Sequence, residues 1–272
     1  MEPSATDYFW LCVTAFAAGG VNALAGGGTL LTFPTLIGVL RPDFGISADV
    51  FANGTSTVAL APASLGSSWA FRRELARLWP VVLWLLIPSL VGGVLGASLV
   101  IRYPDQFNAL VPWLILTAAT LFLVQPRLMP KRTPVAAAKG PAAEIHDDVQ
   151  ISPARLTAMM VLQFFISIYG GYFGAGIGIL MLSGLGLMGF TNIHAMNGIK
   201  SVLATAINGI AAAIFIWQGK VIWSYALAMM IASVLGGVLA ASWGRRIPGK
   251  TIRHFVVAIG FLLAAWFFAA RY

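Results

Sequence analysis

Lys200 is the one charged side chain that lies well inside an apolar run of this 272-residue sequence, in the stretch IHAMNGIKSVLAT. An ammonium held away from bulk water is costly unless it has a task, and its sign suits an anion. Snorkelling competes with that reading. Counted back to Ile193, Lys200 sits ~10 Å deep by helical rise, a depth from which a lysine stem can reach the interface. Its neighbours Asn197, Gly198 and Ser201 add a carboxamide, a small residue and a hydroxyl. A second stretch, ADVFANGTSTVAL, sets Asn53, Gly54, Thr55 and Ser56 in the same relative places. Both sets offer hydrogen-bond donors, as an oxyanion requires.

Two glycine clusters supply a further device. Gly26, Gly27 and Gly28 precede Thr29, and Gly170, Gly171, Gly174, Gly176 and Gly178 form the second cluster. Glycine inside a helix costs up to ~1 kcal/mol relative to alanine, and an N–H exposed to lipid costs several more. Such breaks persist where protein or a polar cavity covers them. Each cluster precedes a short apolar run, 29–40 or 179–190. The first turn of a helix presents unpaired N–H groups and the positive end of its dipole, a ready anion site. The expected binding set is therefore Gly26, Gly27, Gly28, Thr29, Asn53, Gly54, Thr55, Ser56, Gly174, Gly176, Gly178, Asn197, Gly198, Lys200 and Ser201, with His194 as a candidate for proton coupling. Asn22, Gln163 and Asn208 are expected to make interhelical hydrogen bonds, and Asp49 to lie near the surface. The pairs Gly92-Gly93 and Gly236-Gly237, in unbroken runs, suit close helix packing.

Other chemistries find no pattern. Ile179 occupies the third glycine position of a dinucleotide fingerprint, and no Walker A motif occurs. No histidine or carboxylate cluster with catalytic or metal spacing lies in or beside the apolar runs, so neither an enzyme nor a cofactor is expected. His146, Asp147 and Asp148 sit in a polar stretch and read as solvated. Cys12 is alone.

The elements that must position these residues are membrane helices. Hydrophobic residues make up 59% of the chain and charged ones 10%, against roughly a quarter charged in a soluble domain. Runs at 8–25, 46–71, 79–101, 107–124, 156–172, 194–217, 221–244 and 254–270 approach or exceed spanning length. The first has an acidic flank, Glu2 and Asp7, unlike a cleavable signal peptide. A net charge of +8 could suit nucleic acid, but the basic residues concentrate in alternate short loops. Twelve fall in 72–77, 127–155 and 245–253, and only Arg41, Arg102, Lys220 and Arg271 in the others. By the positive-inside rule the first group faces the cytoplasm.

A shift of 144 residues aligns 45–104 with 189–248, with 17 of 60 positions identical, among them Asn53/Asn197, Trp79/Trp223, Arg102/Arg246 and Pro104/Pro248. Each repeat reads as five elements: a long run, a glycine break leading into a short run, and three long runs. Equivalent loops carry opposite charge bias, so the repeats are expected to be inverted, with both termini outside. The domain reading is a first transmembrane repeat at 1–125, a Pro- and Ala-rich cytoplasmic linker at 126–153 and a second repeat at 154–272. Inverted repeats recur in secondary transporters with a midplane site.

At these residues the chain resembles the TauE/SafE family of sulfite exporters. The likeness rests on GGVNALAGGGTLLTFPTL, ANGTSTVAL, GGYFGAGIGILML and MNGIKSVLATAINGIAAAIFIWQGKVIW. It implies export of sulfite, sulfonates or other small organosulfur anions across the bacterial inner membrane. The implied partners are a small anionic substrate, the lipid bilayer and a coupling ion, proton or sodium, without nucleic acid; a homodimer is one open oligomeric state. An anion channel, an importer of thiosulfate-like anions and a substrate-sensing accessory protein stand as alternatives.

Overall fold

The computed structural model describes residues 4–24, 27–70, 75, 78–128, 152–190, 192–243 and 249–271. Gly26, most of the basic loops around Arg72 and Arg245, and the linker from 129 to 151 with its His146-Asp147-Asp148 lie outside the described residues. Among the described residues there are ten α-helices and no strand. They are α1 (Ala5–Leu24), α2 (Thr29–Phe44), α3 (Ala48–Ala70), α4 (Trp79–Arg102), α5 (Pro104–Leu128), α6 (Pro153–Tyr172), α7 (Ile177–Leu187), α8 (Ile193–Trp217), α9 (Trp223–Trp243) and α10 (Gly249–Arg271). Each expected apolar run coincides with one helix. Helix α2 continues past its apolar run through Arg41-Pro42-Asp43.

The helices form because apolar side chains leave the backbone no other partner in a low-dielectric setting. Hydroxyls inside them bond back to the carbonyl one turn earlier, as Thr57 does to Asn53 O at 2.7 Å and Ser183 to Ile179 O at 2.7 Å. The start of α6 is fixed by Ser152, whose hydroxyl accepts the N–H of Arg155, with Pro153 following. Among the described residues five helices are long and apolar enough to cross a membrane: α4, α5 over Pro104–Gln125, α6, α8 over Ala195–Trp217 and α9 over Trp223–Ala240. The chain is a multi-pass membrane protein.

Packing repeats with a shift of five helices. Helix α1 lies along α9 as α6 lies along α4, α3 meets α9 as α8 meets α4, and α3 meets α8 while α5 meets α10. The tight pairs use glycine. A Cβ on Gly19 would land on the Ser233 carbonyl and one on Gly236 on that of Phe16, while Gly96 and Gly171 stand likewise against Ile168 and Gly93. Gly92 and Gly93 face Phe164 and Ile210 in the same close fashion, as small-residue packing in membranes requires.

Helices α3 and α8 run antiparallel. Gly54 lies against Phe215, the Ser64 carbonyl accepts from Thr205 Oγ1 at 3.0 Å, and Ser68 Oγ donates to Ser201 O at 2.8 Å. Edge-to-face contacts of Phe33 with Phe107 and Phe173, and of Phe107 with Tyr172, tie the second glycine break to α2 and α5. Gln163 makes its expected interhelical bond, donating to Ser89 Oγ at 2.9 Å. Asp49 lies in the first turn of α3, at the helix end where it is expected, and is wholly buried there, with Asn108 of α5 donating to its carboxylate at 2.7 Å.

Candidate functional site

Both glycine clusters are true breaks. Helix α1 stops at Leu24 and α2 starts at Thr29; α6 stops at Tyr172 and α7 starts at Ile177. Gly27 has φ +112°, and Gly174 and Gly176 have φ +80° and +79°. These left-handed values cost any other residue a Cβ clash. The Gly27 N–H donates to Asn22 Oδ1 at 3.3 Å, and Asn22 Nδ2 donates to Ser64 Oγ at 3.2 Å, so one carboxamide ties the first break to α3. The second break is closed by Tyr169: its hydroxyl donates to Ala175 O at 2.7 Å, and its own carbonyl accepts from Phe173 and Gly174. The two breaks meet. A Cβ placed on Gly27 would come within 2.6 Å of the Phe122 ring and 3.3 Å of Gly176 N.

Beside this meeting point lies a cavity of about 180 Å³. Asn22, Gly27 and Thr29 enter it from the first break, and Gly170, Phe173, Gly174, Ile177 and Gly178 from the second. Helix α3 contributes Thr57, Leu60 and Ser64; α8 contributes Ser201, Ala204 and Asn208, the residues at the same positions of the repeat, together with Asn197 and Lys200. Among the described residues the wall holds no Asp or Glu, and Lys200 is its one charged group. No group of three metal-ligating side chains occurs among the described residues.

The expected set therefore divides. Gly27, Thr29, Gly174, Gly178, Asn197, Lys200 and Ser201 line the cavity. Asn53, Thr55 and Ser56 are wholly buried elsewhere. Asn53 Nδ2 donates to Tyr172 O at 3.0 Å, Thr55 Oγ1 accepts the Ile222 N–H at 3.1 Å, and Ser56 shares a 2.6 Å hydrogen bond with Thr32. Gly28 and Gly54 serve close packing, against Ala18 and against Lys220 with Phe215, while Gly176 caps α7 and Gly198 is buried in α8. Gly26 and the side chain of His194 lie outside the described residues.

Four polar wall residues were not in the expected binding set: Asn22, Asn208, Thr57 and Ser64. The signal for the last two was present, since Thr57/Ser201 and Ser64/Asn208 fall on one face of α3 and α8 at the repeat spacing. They escape a search for identities because the paired residues differ.

The architecture also has relatives. The family model described as sulfite exporter TauE/SafE matches residues 11–267. A "Probable membrane transporter protein" of Haemophilus influenzae is 28% identical over 93% of this chain and 91% of its own length. "Probable membrane transporter protein ORF9" of Sinorhizobium sp. is 27% identical, covering 94% of this chain and 90% of the relative. YfcA of Escherichia coli K12, also named a probable membrane transporter protein, is 27% identical with coverage of 94% and 87%. These relatives carry the names of transporters rather than enzymes. With the match running from α1 into α10 and through both glycine breaks, the chain belongs to the sulfite exporter TauE/SafE family of membrane transport proteins.

Proposed function

We propose that this protein is a secondary transporter that exports a small sulfur-containing anion, such as sulfite or a sulfonate, from the cytoplasm by alternating access at the cavity between the two glycine breaks. The observation that carries this reading is the ammonium of Lys200, the one charge among the described residues of a wall of hydroxyls, carboxamides and apolar groups, beside two helix starts. Lys200 supplies counter-charge; Thr29, Asn197, Ser201 and the first-turn amides of α2 and α7 supply hydrogen bonds.

The moving parts in this reading are the two repeats, 1–125 and 154–272, inverted with respect to each other, joined by a cytoplasmic linker at 126–153 and with both termini outside. The antiparallel run of α3 against α8, and the five-helix shift in the packing, support that inversion. The bilayer is the inner membrane, and a proton or sodium ion provides coupling, with His194 the candidate proton carrier.

The test is counterflow in proteoliposomes holding sulfite, thiosulfate, sulfate or a sulfonate on one side. Saturable exchange of a sulfur anion, lost in Lys200→Met and kept in part in Lys200→Arg, is the expected result. Flux that never saturates would identify a channel, and net movement inward under the physiological gradient would identify an importer. Binding with no flux at all would leave a sensing accessory protein.

A further inference from the structure

The two ends of the cavity differ. Helices α3 and α8 run antiparallel, so their first turns lie at opposite ends of the bundle. Toward the start of α8 the wall ends in Asn197 and Lys200, both only half-buried. Toward the start of α3 its last residue on that helix is Thr57. One turn beyond it is Asn53, wholly buried although only ~8 Å of helical rise separates it from the first residue of α3. Four rings lead from the wall to Asn53. Phe173, on the wall, meets Phe33 of α2 edge-to-face at 5.2 Å; Phe33 meets Phe107 of α5 at 6.2 Å, and Phe107 meets Tyr172 at 5.2 Å. The Tyr172 carbonyl then accepts the Asn53 carboxamide N–H.

We propose that Phe33, Phe107, Tyr172 and Phe173 form the gate that shuts the cavity toward the start of α3, and that Asn53 marks the aqueous path which opens when the rings part. This rests on the reading of the cavity as a site of alternating access and adds where access is blocked. Packed rings give a charged solute no hydrogen bond in exchange for its water. The seal also carries a built-in weakness: among the described residues Asn53 Oδ1 is buried with no hydrogen-bond partner. A buried acceptor left unmade disfavours the closed arrangement, and water reaching it on opening would satisfy it. The hydrogen bond between Thr32 and Ser56, beside Phe33, is a tie that must break with the rings.

The reactivity of a single cysteine reports on the gate without any substrate. The full-length protein carries Cys12→Ser, which removes its only cysteine, and is placed in proteoliposomes. Ser56→Cys in that background is expected to react with a small hydrophilic thiol reagent at least about tenfold faster once Phe33→Ala is added, because losing a buried ring lowers the cost of local opening. Ser89→Cys is the control: Ser89 is wholly buried in α4 against Gln163, and its cysteine should stay unreactive with or without Phe33→Ala. Sulfite efflux from the same vesicles gives a second readout. With the gate removed, flux should cease to saturate with internal sulfite.

An unchanged Ser56→Cys rate overturns the gate, and so does an equal rise at Ser89→Cys, which would signal general loosening. Flux that still saturates although Ser56→Cys has become reactive places the rings off the path and overturns the gate as well; in each of these cases the carrier reading stands. Absence of sulfite flux in the unaltered chain counts against sulfite as cargo, while the cysteine rates still decide the gate. If Phe33→Ala is not recovered as a folded peak in size-exclusion chromatography, Phe33→Leu decides, with an expected rise of about threefold.

Discussion

At the scale of the residue, Asn22 does two jobs that sequence spacing alone could assign only in part. Its expected role, an interhelical hydrogen bond, is met by the 3.2 Å contact to Ser64. Its carboxamide oxygen accepts the Gly27 N–H while the side chain also borders the cavity. Replacing it by alanine strands a buried N–H and frees the first break from α3, a change worth ~1–3 kcal/mol. Asn22→Ala should therefore lower the unfolding temperature by several degrees and reduce transport more than the stability loss explains. Asn22→Asp, which keeps the acceptor for Gly27, should recover much of the stability. Thermal unfolding and initial uptake rates, measured side by side, check both. Lys200 was legible because a lone charge in an apolar run has few innocent explanations. Asn53, Thr55 and Ser56 look equally suited in sequence, yet tertiary partners, Tyr172, Ile222 and Thr32, already occupy them, and no local pattern encodes such partners.

At the scale of the element, glycine acts in two different ways, and the surrounding run length separates them. Where a cluster precedes a short run, the helix breaks and the backbone turns left-handed, as at Gly27 and Gly174. Where glycine sits in a long run, it admits a neighbouring helix, as at Gly19 and Gly236. A Cβ on Gly236 would overlap the Phe16 carbonyl, so the α1–α9 pair must separate. Gly236→Ala is expected to destabilise by ~1–3 kcal/mol, the usual cost of overpacking. By contrast, Gly38 in α2 and Gly209 in α8 have no atom within 4 Å of an added Cβ. Gly38→Ala or Gly209→Ala should be neutral or stabilising by up to ~1 kcal/mol through helix propensity. Unfolding in detergent distinguishes the two classes, and similar losses for all three substitutions would contradict the packing assignment. Run length and glycine placement thus carried the helix inventory almost intact. They could not show that the two breaks touch one another over Phe122, because that contact joins distant parts of the chain.

At the scale of the whole molecule, the two halves are alike in sequence and unlike in state. Equivalent positions Ser56 and Lys200 differ in residue type, and also in place: Ser56 is sealed against Thr32, while Lys200 borders the cavity. The same holds one turn earlier, where Asn53 is wholly buried and Asn197 lines the wall. If inverted halves exchange conformations to move substrate, the sealed turn of the first half must open as that of the second closes. Cys12 is the sole cysteine, so a Cys12→Ser background permits single-site labelling. In that background Ser201→Cys, on the cavity wall, should react readily with a small hydrophilic thiol reagent, while Ser56→Cys reacts slowly. Added sulfite or methanesulfonate should raise the Ser56→Cys rate and lower the Ser201→Cys rate if it drives exchange. Should Ser56→Cys stay unreactive in a variant that transports at the normal rate, the first half does not open at this turn, and access must alternate by movement of the second half alone.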